Sequence, residues 1–317
     1  MQSLTDVCTQ DLGNLGYEAC AVMPERFEGF MLAPQSYALT AANLADDTTL
    51  IGILQTASLA AKTARVVPFL NGVDDCVDNT AASTPEMSGY GNFRGVTIGK
   101  PMYAFTLKNK GIHLLQQFFK YNGNKGISIA MVDKANSIFM RKSGTGAKFM
   151  PCQITTEPIK AATGSAEAIM VVNVYLNEED AFLNQEKLYS YPTASTTILG
   201  DVLHGIHDVE LKAVSQAATT ATVKAILPAN FTNMSTLYGT ELAAAGAWDV
   251  TNKATGAAVT PSGVTVSAGN FMIAGLTTAT TYYISLSTPS ALFALGSPVG
   301  SKTTGGFESN VIEVLTA

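Results

Sequence analysis

The sequence predicts a mainly β protein in two parts: an α+β first domain with one short helix, then an antiparallel β-sandwich. Three observations carry this. The last third of the chain is almost free of charge, for between Val214 and Thr304 only Lys224, Glu241, Asp249, Lys253 and Lys302 are charged. That same third alternates apolar and polar residues in short runs split by turns, as in Gly-Asn-Phe-Met-Ile-Ala-Gly-Leu at 269–276 and Thr-Tyr-Tyr-Ile-Ser-Leu at 281–286. Such spacing is the pattern of a sandwich. The first two thirds instead set strand-like runs on either side of one amphipathic stretch, which argues against alternating β and α units.

Composition narrows what such a fold can be for. A length of 317 residues allows two domains, each large enough to bury a core. Charged residues make up 14%, against roughly 25% in ordinary soluble proteins, so surface is expected to be hidden in an assembly. No run approaches the roughly 20 apolar residues of a spanning helix. The start, Met-Gln-Ser-Leu-Thr-Asp-Val-Cys, has neither the basic nor the apolar region of a secretory signal. Net charge is −6, and the longest basic cluster is the pair Arg141-Lys142. A protein that grips nucleic acid concentrates cations, so DNA is not expected to be held.

Taken in order, residues 1–35 read as an N-terminal arm, turn-rich at Asp11–Gly16, with a short strand at Phe27–Pro34 between Pro24 and Pro34. Within 43–64 a helix of about 15 residues is expected, with Asp46, Asp47 and Thr48 available as N-caps. Arg65–Leu70 is strand-like and 71–92 a polar loop. Residues 96–107 alternate at Tyr103, Phe105 and Leu107. At 110–121, Ile112, Leu115, Phe118 and Phe119 make the stripe of a short helix, expected to bury against strands 101–107 and 126–132. Asn122-Gly123 stops it. Strands follow at 126–133, 137–141, 149–157 and 168–176, then a helical turn at 177–184 and a low-charge linker at 189–197. Residues 36–205 therefore form one domain and 206–317 the sandwich, with Trp248 read as a core residue.

Candidate chemistry is sparse. Cys8, Cys20, Cys76 and Cys152 include no Cys-x-x-Cys pair, so they read as reduced thiols, with a Cys8–Cys20 bridge left open. The histidines are His113, His204 and His207. His204-Gly-Ile-His207-Asp208 has a metal-like spacing, but Gly205 disfavours the helix that would put both rings on one face, and a polar turn is preferred. Asp74, Asp75 and Asp78 lack the spaced frame of a calcium loop and read as a solvated acidic loop. Ser143–Lys148 contains Gly-x-Gly-x-Lys between two strands rather than ahead of a helix, and Ser301–Gly306 is another turn; neither cradles phosphate. No Gly-x-Ser-x-Gly elbow occurs. No catalytic, cofactor-binding or metal-ligating residue is nominated, and no enzyme or cofactor is expected.

The strand–helix–strand order at 96–133, the long polar loop at 71–92 and the sandwich after about residue 208 together resemble the tail tube proteins of long-tailed bacteriophages, several of which carry a C-terminal Ig-like domain. Leu203-His-Gly-Ile-His-Asp-Val-Glu-Leu and Tyr282-Tyr-Ile-Ser-Leu-Ser-Thr-Pro-Ser-Ala-Leu are similar to structural proteins of phages infecting Bacteroidota. The resemblance implies a β-sandwich or barrel domain assembling into hexameric rings that stack on themselves and on other virion proteins. DNA would pass through without specific binding and no membrane would be involved; the protein would be assembled in the host cytoplasm and reside in the virion. The arm and the 71–92 loop are the natural devices for reaching a neighbour. A capsid protein, major or decorating, is the first alternative, although the common shell fold needs a long helix. A secreted adhesin or carbohydrate-binding module is the second, and would want clustered exposed aromatics.

Overall fold

A computed structural model of the chain describes residues 26–70, 72–82, 84–87, 93–97, 99–163, 167–177, 188–193, 199–203, 205–294 and 306–317. It is mainly β with few, short helices, and it divides into two compact units. The first comprises residues up to Ala57 and Ala61–Leu203, the second Ser58–Ala60 and His204–Ala317. Among the described residues no helix is long and apolar enough to cross a membrane.

In the first unit the strands are β1 (Phe27–Pro34), β2 (Ala38–Leu39), β3 (Val67–Phe69), β4 (Asp75–Asp78), β5 (Thr84–Met87), β6 (Phe93–Thr97), β7 (Met102–Lys108), β8 (Ile127–Asp133), β9 (Ser137–Ser143), β10 (Gly146–Lys148), β11 (Met150–Thr156), β12 (Ile169–Leu176) and β13 (Leu188–Pro192). The helices are α1 (Asp47–Ser58), α2 (Ile112–Phe119) and α3 (Leu199–Val202). The main sheet runs β2-β10-β9-β8-β11-β12-β7-β4, with β1 against β8 and β3, and β13 against β9.

β1 and β8 form the spine. They pair antiparallel from Phe27↔Asp133 to Pro34↔Ile127. Their side chains divide between two cores: Phe30, Leu32, Ile127, Ile129 and Met131 enter one, while Met31, Ala33, Ala130 and Val132 enter the other. A strand covered on both faces reads as a continuous apolar run rather than an alternating one, which accounts for Phe-Met-Leu-Ala and Ile-Ser-Ile-Ala-Met-Val. Ser128, the polar exception, is buried and donates its hydroxyl to Ala33 O at 3.1 Å. The expectation that residues 1–35 form an arm therefore fails at 27–34, because that segment is central to the sheet; residues 1–25 lie outside the described residues.

α1 starts where capping predicts. Asp46 accepts the Thr49 amide N–H at 2.8 Å, which fills an orphan donor of the first turn. Leu50 and Leu54, one turn apart, are buried in the second core. Tyr191 of β13 donates its hydroxyl to Asp47 Oδ1 at 2.9 Å, fastening the last strand of the unit to the helix start. Residues 189–192 of the linker expected at 189–197 are thus strand, with Tyr189, Ser190 and Tyr191 buried; 194–197 lie outside the described residues. The acidic stretch at 75–78 and part of the expected loop beyond it are likewise strands. The strand expected at 149–157 is β11, Met150–Thr156; ahead of it β10 pairs β9, whereas β11 pairs β8. The helical turn expected at 177–184 lies, beyond Asn177, outside the described residues.

α2 is a helix as expected, but its stripe is narrower. Leu115 (7% exposed) and Phe118 (5%) are buried, whereas Ile112 (66%) and Phe119 (45%) face outward. Phe118 packs on Phe69 and Phe30, with ring centroids at 5.4 and 6.0 Å. Residues 112 and 119 are two turns apart and share a direction, one that lies at the margin of the face seating 115 and 118. Asn122 and Gly123 end it, with Gly123 at φ +72° and its N–H bonded to Ile154 O at 3.2 Å.

The second unit contains β14 (His207–Gln216), β15 (Thr220–Leu227), β16 (Thr232–Asn233), β17 (Trp248–Asn252), β18 (Gly263–Ser267), β19 (Asn270–Ala274), β20 (Thr281–Leu286), β21 (Phe307–Ser309) and β22 (Ile312–Leu315), with α4 (Met234–Tyr238) and α5 (Pro289–Ala294). One sheet is ordered β18-β19-β15-β14-β21, with β16 on β15, and another β17-β20-β22. Alternate residues of both sheets share one core, including Leu211, Val223, Trp248, Val250, Phe271, Ile273, Tyr282 and Ile284. Trp248 is a core residue as expected, and its indole N–H donates to Leu242 O at 2.8 Å, so the buried donor is satisfied.

Candidate functional site

Among the described residues, those that sequence reading weighed for chemistry do not gather into a metal-binding group. Each acidic side chain of 74–78 serves the backbone. Asp74 Oδ2 accepts from Lys108 N (2.6 Å), Asp75 Oδ1 from Cys76 N (2.9 Å) and Asp78 Oδ1 from Thr80 N (2.8 Å). Among the described residues no group of three or more His, Cys, Asp or Glu could hold a metal ion. Ser143–Lys148 is a β-hairpin in which Ser143 pairs with Gly146, and Gly144 at φ +59° supplies the turn. His113 and Gln117, one turn apart on α2, lie 3.1 Å from each other between Nε2 atoms. His207 opens β14 with its ring 6.3 Å from that of Phe307. Cys8, Cys20, His204 and residues 301–305 lie outside the described residues.

The two described thiols, Cys76 and Cys152, hold their protons tightly. Burial, reinforced by Asp75 and Asp78, pushes the Cys76 thiol up to about 12. Burial alone pushes Cys152 up to about 12. The thiolate is the reactive form, so both groups are inert near neutrality.

What the geometry does assemble is a ribbon at the end of the main sheet. β4 is the terminal strand and pairs only with β7 among the described strands, from Asp75↔Thr106 to Asp78↔Tyr103. Asn79 N–H continues the ladder to Met102 O (2.8 Å), and Thr80 Oγ1 accepts from Met102 N (3.2 Å). Next comes a neck where a Cβ on Gly99 would collide with the carbonyl of Ala81; only glycine admits so close an approach. Beyond it β5 and β6 pair antiparallel, from Thr84↔Thr97 through Pro85↔Val96 and Glu86↔Gly95 to Met87↔Phe93. Those two strands form a sheet of their own. A two-stranded hairpin by itself is marginal in water.

Sequence reading singled out 71–92 as a device for contact but assigned it no strands. The signal for β4 was weak, since three aspartates and an asparagine in six residues are poor strand formers. Its partner β7 supplies what local propensity lacks. No protein-family model matches this sequence, and no curated protein matches it at a significant level.

Proposed function

We propose that this protein is a virion structural subunit of the phage tail-tube kind, forming rings, hexameric in that family, that stack into a tube through which DNA passes without specific binding. The observation that carries the reading is the β5–β6 hairpin, a pair of strands with no other described partner, held on a narrow neck at the end of the sheet. Such an element is marginal by itself, and a repeating homo-oligomer offers every subunit the same surface to complete it. The low charge content supports extensive subunit contact. The absence of a basic cluster in the sequence suits a lumen that does not retain phosphates.

The second unit supports the Ig-like part of the reading. Its sheets run β18-β19-β15-β14-β21, with β16 on β15, and β17-β20-β22; apart from the added β21 and β16 these follow the D-E-B-A and C-F-G orders of a seven-stranded Ig sandwich. Trp248, at the start of the strand equivalent to C, packs on Phe271 at 5.4 Å. Tyr282, second in the strand equivalent to F, accepts the Thr277 N–H on its hydroxyl at 2.9 Å, the arrangement of a tyrosine corner.

Negative-stain microscopy of the concentrated full chain tests the reading. Rings or tubes are expected. They should vanish when residues 82–98 are replaced by a short turn that leaves the β4–β7 ladder intact, while circular dichroism still reports a folded β protein. Closed shells would assign the protein to a capsid, and a monomer under every condition would remove the tube reading.

A further inference from the structure

The ribbon has two legs of unequal chemistry. β4 and β5 make up one leg, β7 and β6 the other. In an antiparallel ladder successive N–H groups turn alternately toward the partner strand and away from it. The Asn79 N–H bonds to Met102 O at 2.8 Å, so the N–H groups of Asp75, Val77 and Asn79 face β7 and those of Cys76, Asp78 and Thr80 face away. β4 ends the main sheet, which puts these outward groups on its rim. A bare rim of this kind is a template on which another chain can add a strand.

Here the rim is not bare. The Cys76 N–H donates to Asp75 Oδ1 at 2.9 Å, and the Thr80 N–H donates to Asp78 Oδ1 at 2.8 Å. Two outward donors are thus turned onto carboxylates of their own leg. Beyond the neck, β5 reaches the same end by other means. Pro85 pairs with Val96, and a proline nitrogen carries no hydrogen, so within a ladder it sits facing away from its partner. The outward position at 85 therefore has no donor at all. Aspartate is a poor strand former, and β4 holds two exposed ones within its four residues, on either side of Cys76 and an exposed Val77. Threonine or valine would extend this strand more readily; only a side chain with a short reach and an acceptor caps the rim.

We propose that Asp75, Asp78 and Pro85 form an edge guard, closing the β4–β5 leg to strand addition by a second copy of the chain. A bond from an N–H to a carboxylate is stronger than one to a neutral carbonyl, so an incoming strand exchanges a better bond for a poorer one at Cys76 and Thr80. Its carbonyl oxygens also meet carboxylate oxygens, and neither group has a hydrogen to give. At Pro85 there is no bond to gain. A strand laid along this leg therefore loses its N–H bonds at 76, 80 and 85, which fall on both sides of the neck. Any contact that the ribbon makes in an assembly is left to its other leg or to its faces. The guard concerns this leg alone and holds whether or not rings form.

Two full-length variants test it. Asp75→Ala/Asp78→Ala/Pro85→Val bares the leg, whereas Asp75→Asn/Asp78→Asn loses the same charges but keeps a side-chain oxygen that accepts. Sedimentation velocity over a concentration series is read together with amide exchange at single residues. The bared variant is expected to add a concentration-dependent species that the parent lacks, with the amides of Cys76, Asp78 and Thr80 protected roughly tenfold or more in it, as amides in a paired strand are. The asparagine variant should sediment as the parent does. Asp78→Ala alone should speed exchange at Thr80 roughly fivefold, the scale of one lost hydrogen bond, with circular dichroism unchanged, and this result decides the matter if the bared variant does not fold. A bared variant that sediments as the parent does, or that associates without protection at 76–80, overturns the proposal. So does unchanged exchange at Thr80 in Asp78→Ala. Equal association of the alanine and asparagine variants also overturns it, since charge repulsion and not capping then keeps the leg apart.

Discussion

Phe118 and Phe119 are neighbours in α2 with opposite surroundings, and substitution should separate them. Phe118→Ala removes a ring packed between Phe30 and Phe69 and is expected to cost about 3–5 kcal/mol in guanidinium unfolding. Phe119→Ala and Ile112→Ala, on the exposed side, should fall within about 0.5 kcal/mol of the parent. Equal losses at 118 and 119 would mean that the helix is seated differently. Sequence periodicity found this helix and its stop but overdrew its buried face, because the covered arc is set by Phe30 and Phe69, far away in the chain. A second residue-scale expectation concerns alkali. Cys76, Cys152 and Tyr37 are all pushed up to about 12, chiefly by burial. A group that holds its proton more tightly when folded contributes stability below its unfolded value and loses it as pH climbs through the folded one. Unfolding midpoints should therefore hold steady to about pH 9, the ordinary thiol range, and decline from there toward about 12. A midpoint unchanged at about pH 11 would contradict the buried placement of these groups.

Among the elements, the ribbon at 75–106 makes the sharpest claim. Gly99→Val should force the neck apart, since a Cβ there already meets the Ala81 carbonyl. Ala81 and Gly99 belong to neither core of the first unit, which should keep its unfolding midpoint to within about 0.5 kcal/mol. Amides of 93–97 should exchange faster, and assembled particles should be lost. Unchanged exchange at 93–97 would show that the neck does not govern the hairpin. The same region shows where sequence reading stops. It marked 71–92 for contact yet could not see strands there, because β4 is poor in strand formers and depends on β7. The strand at 188–192 was missed for a different reason: Tyr189 and Tyr191 do alternate, with both buried, but Pro192 and the surrounding polar residues read as linker. The period-two tyrosines were the available signal.

For the whole molecule, two cores in the first unit and a separate one in the second lead to a truncation experiment. Residues 206–317 expressed alone should give one cooperative thermal transition, as expected of a domain with its own core. Residues 1–205 should still assemble. Loss of particles in that truncation would make the second unit part of the assembly itself. The mainly β class was legible from alternation and turn spacing, since both are local. Pairing order was not, because β1 finds β8 about a hundred residues later and nothing near Phe27 names that partner. The parallel pairing of β14 with β21, His207↔Phe307 to Val209↔Ser309, sets a schedule for biosynthesis. One flank of the second unit's opening strand has no mate until the ribosome has passed Ser309, whereas β15 can cover the other flank almost at once. Chains typically fold domain by domain during synthesis, so the first unit can reach its native contacts while the second still shows an open strand edge to any nascent chain on the same polysome. Asp208, Glu210 and Lys212 on that strand oppose pairing with a like edge, and slower translation or chaperone cover late in the message would further favour the correct intramolecular closure.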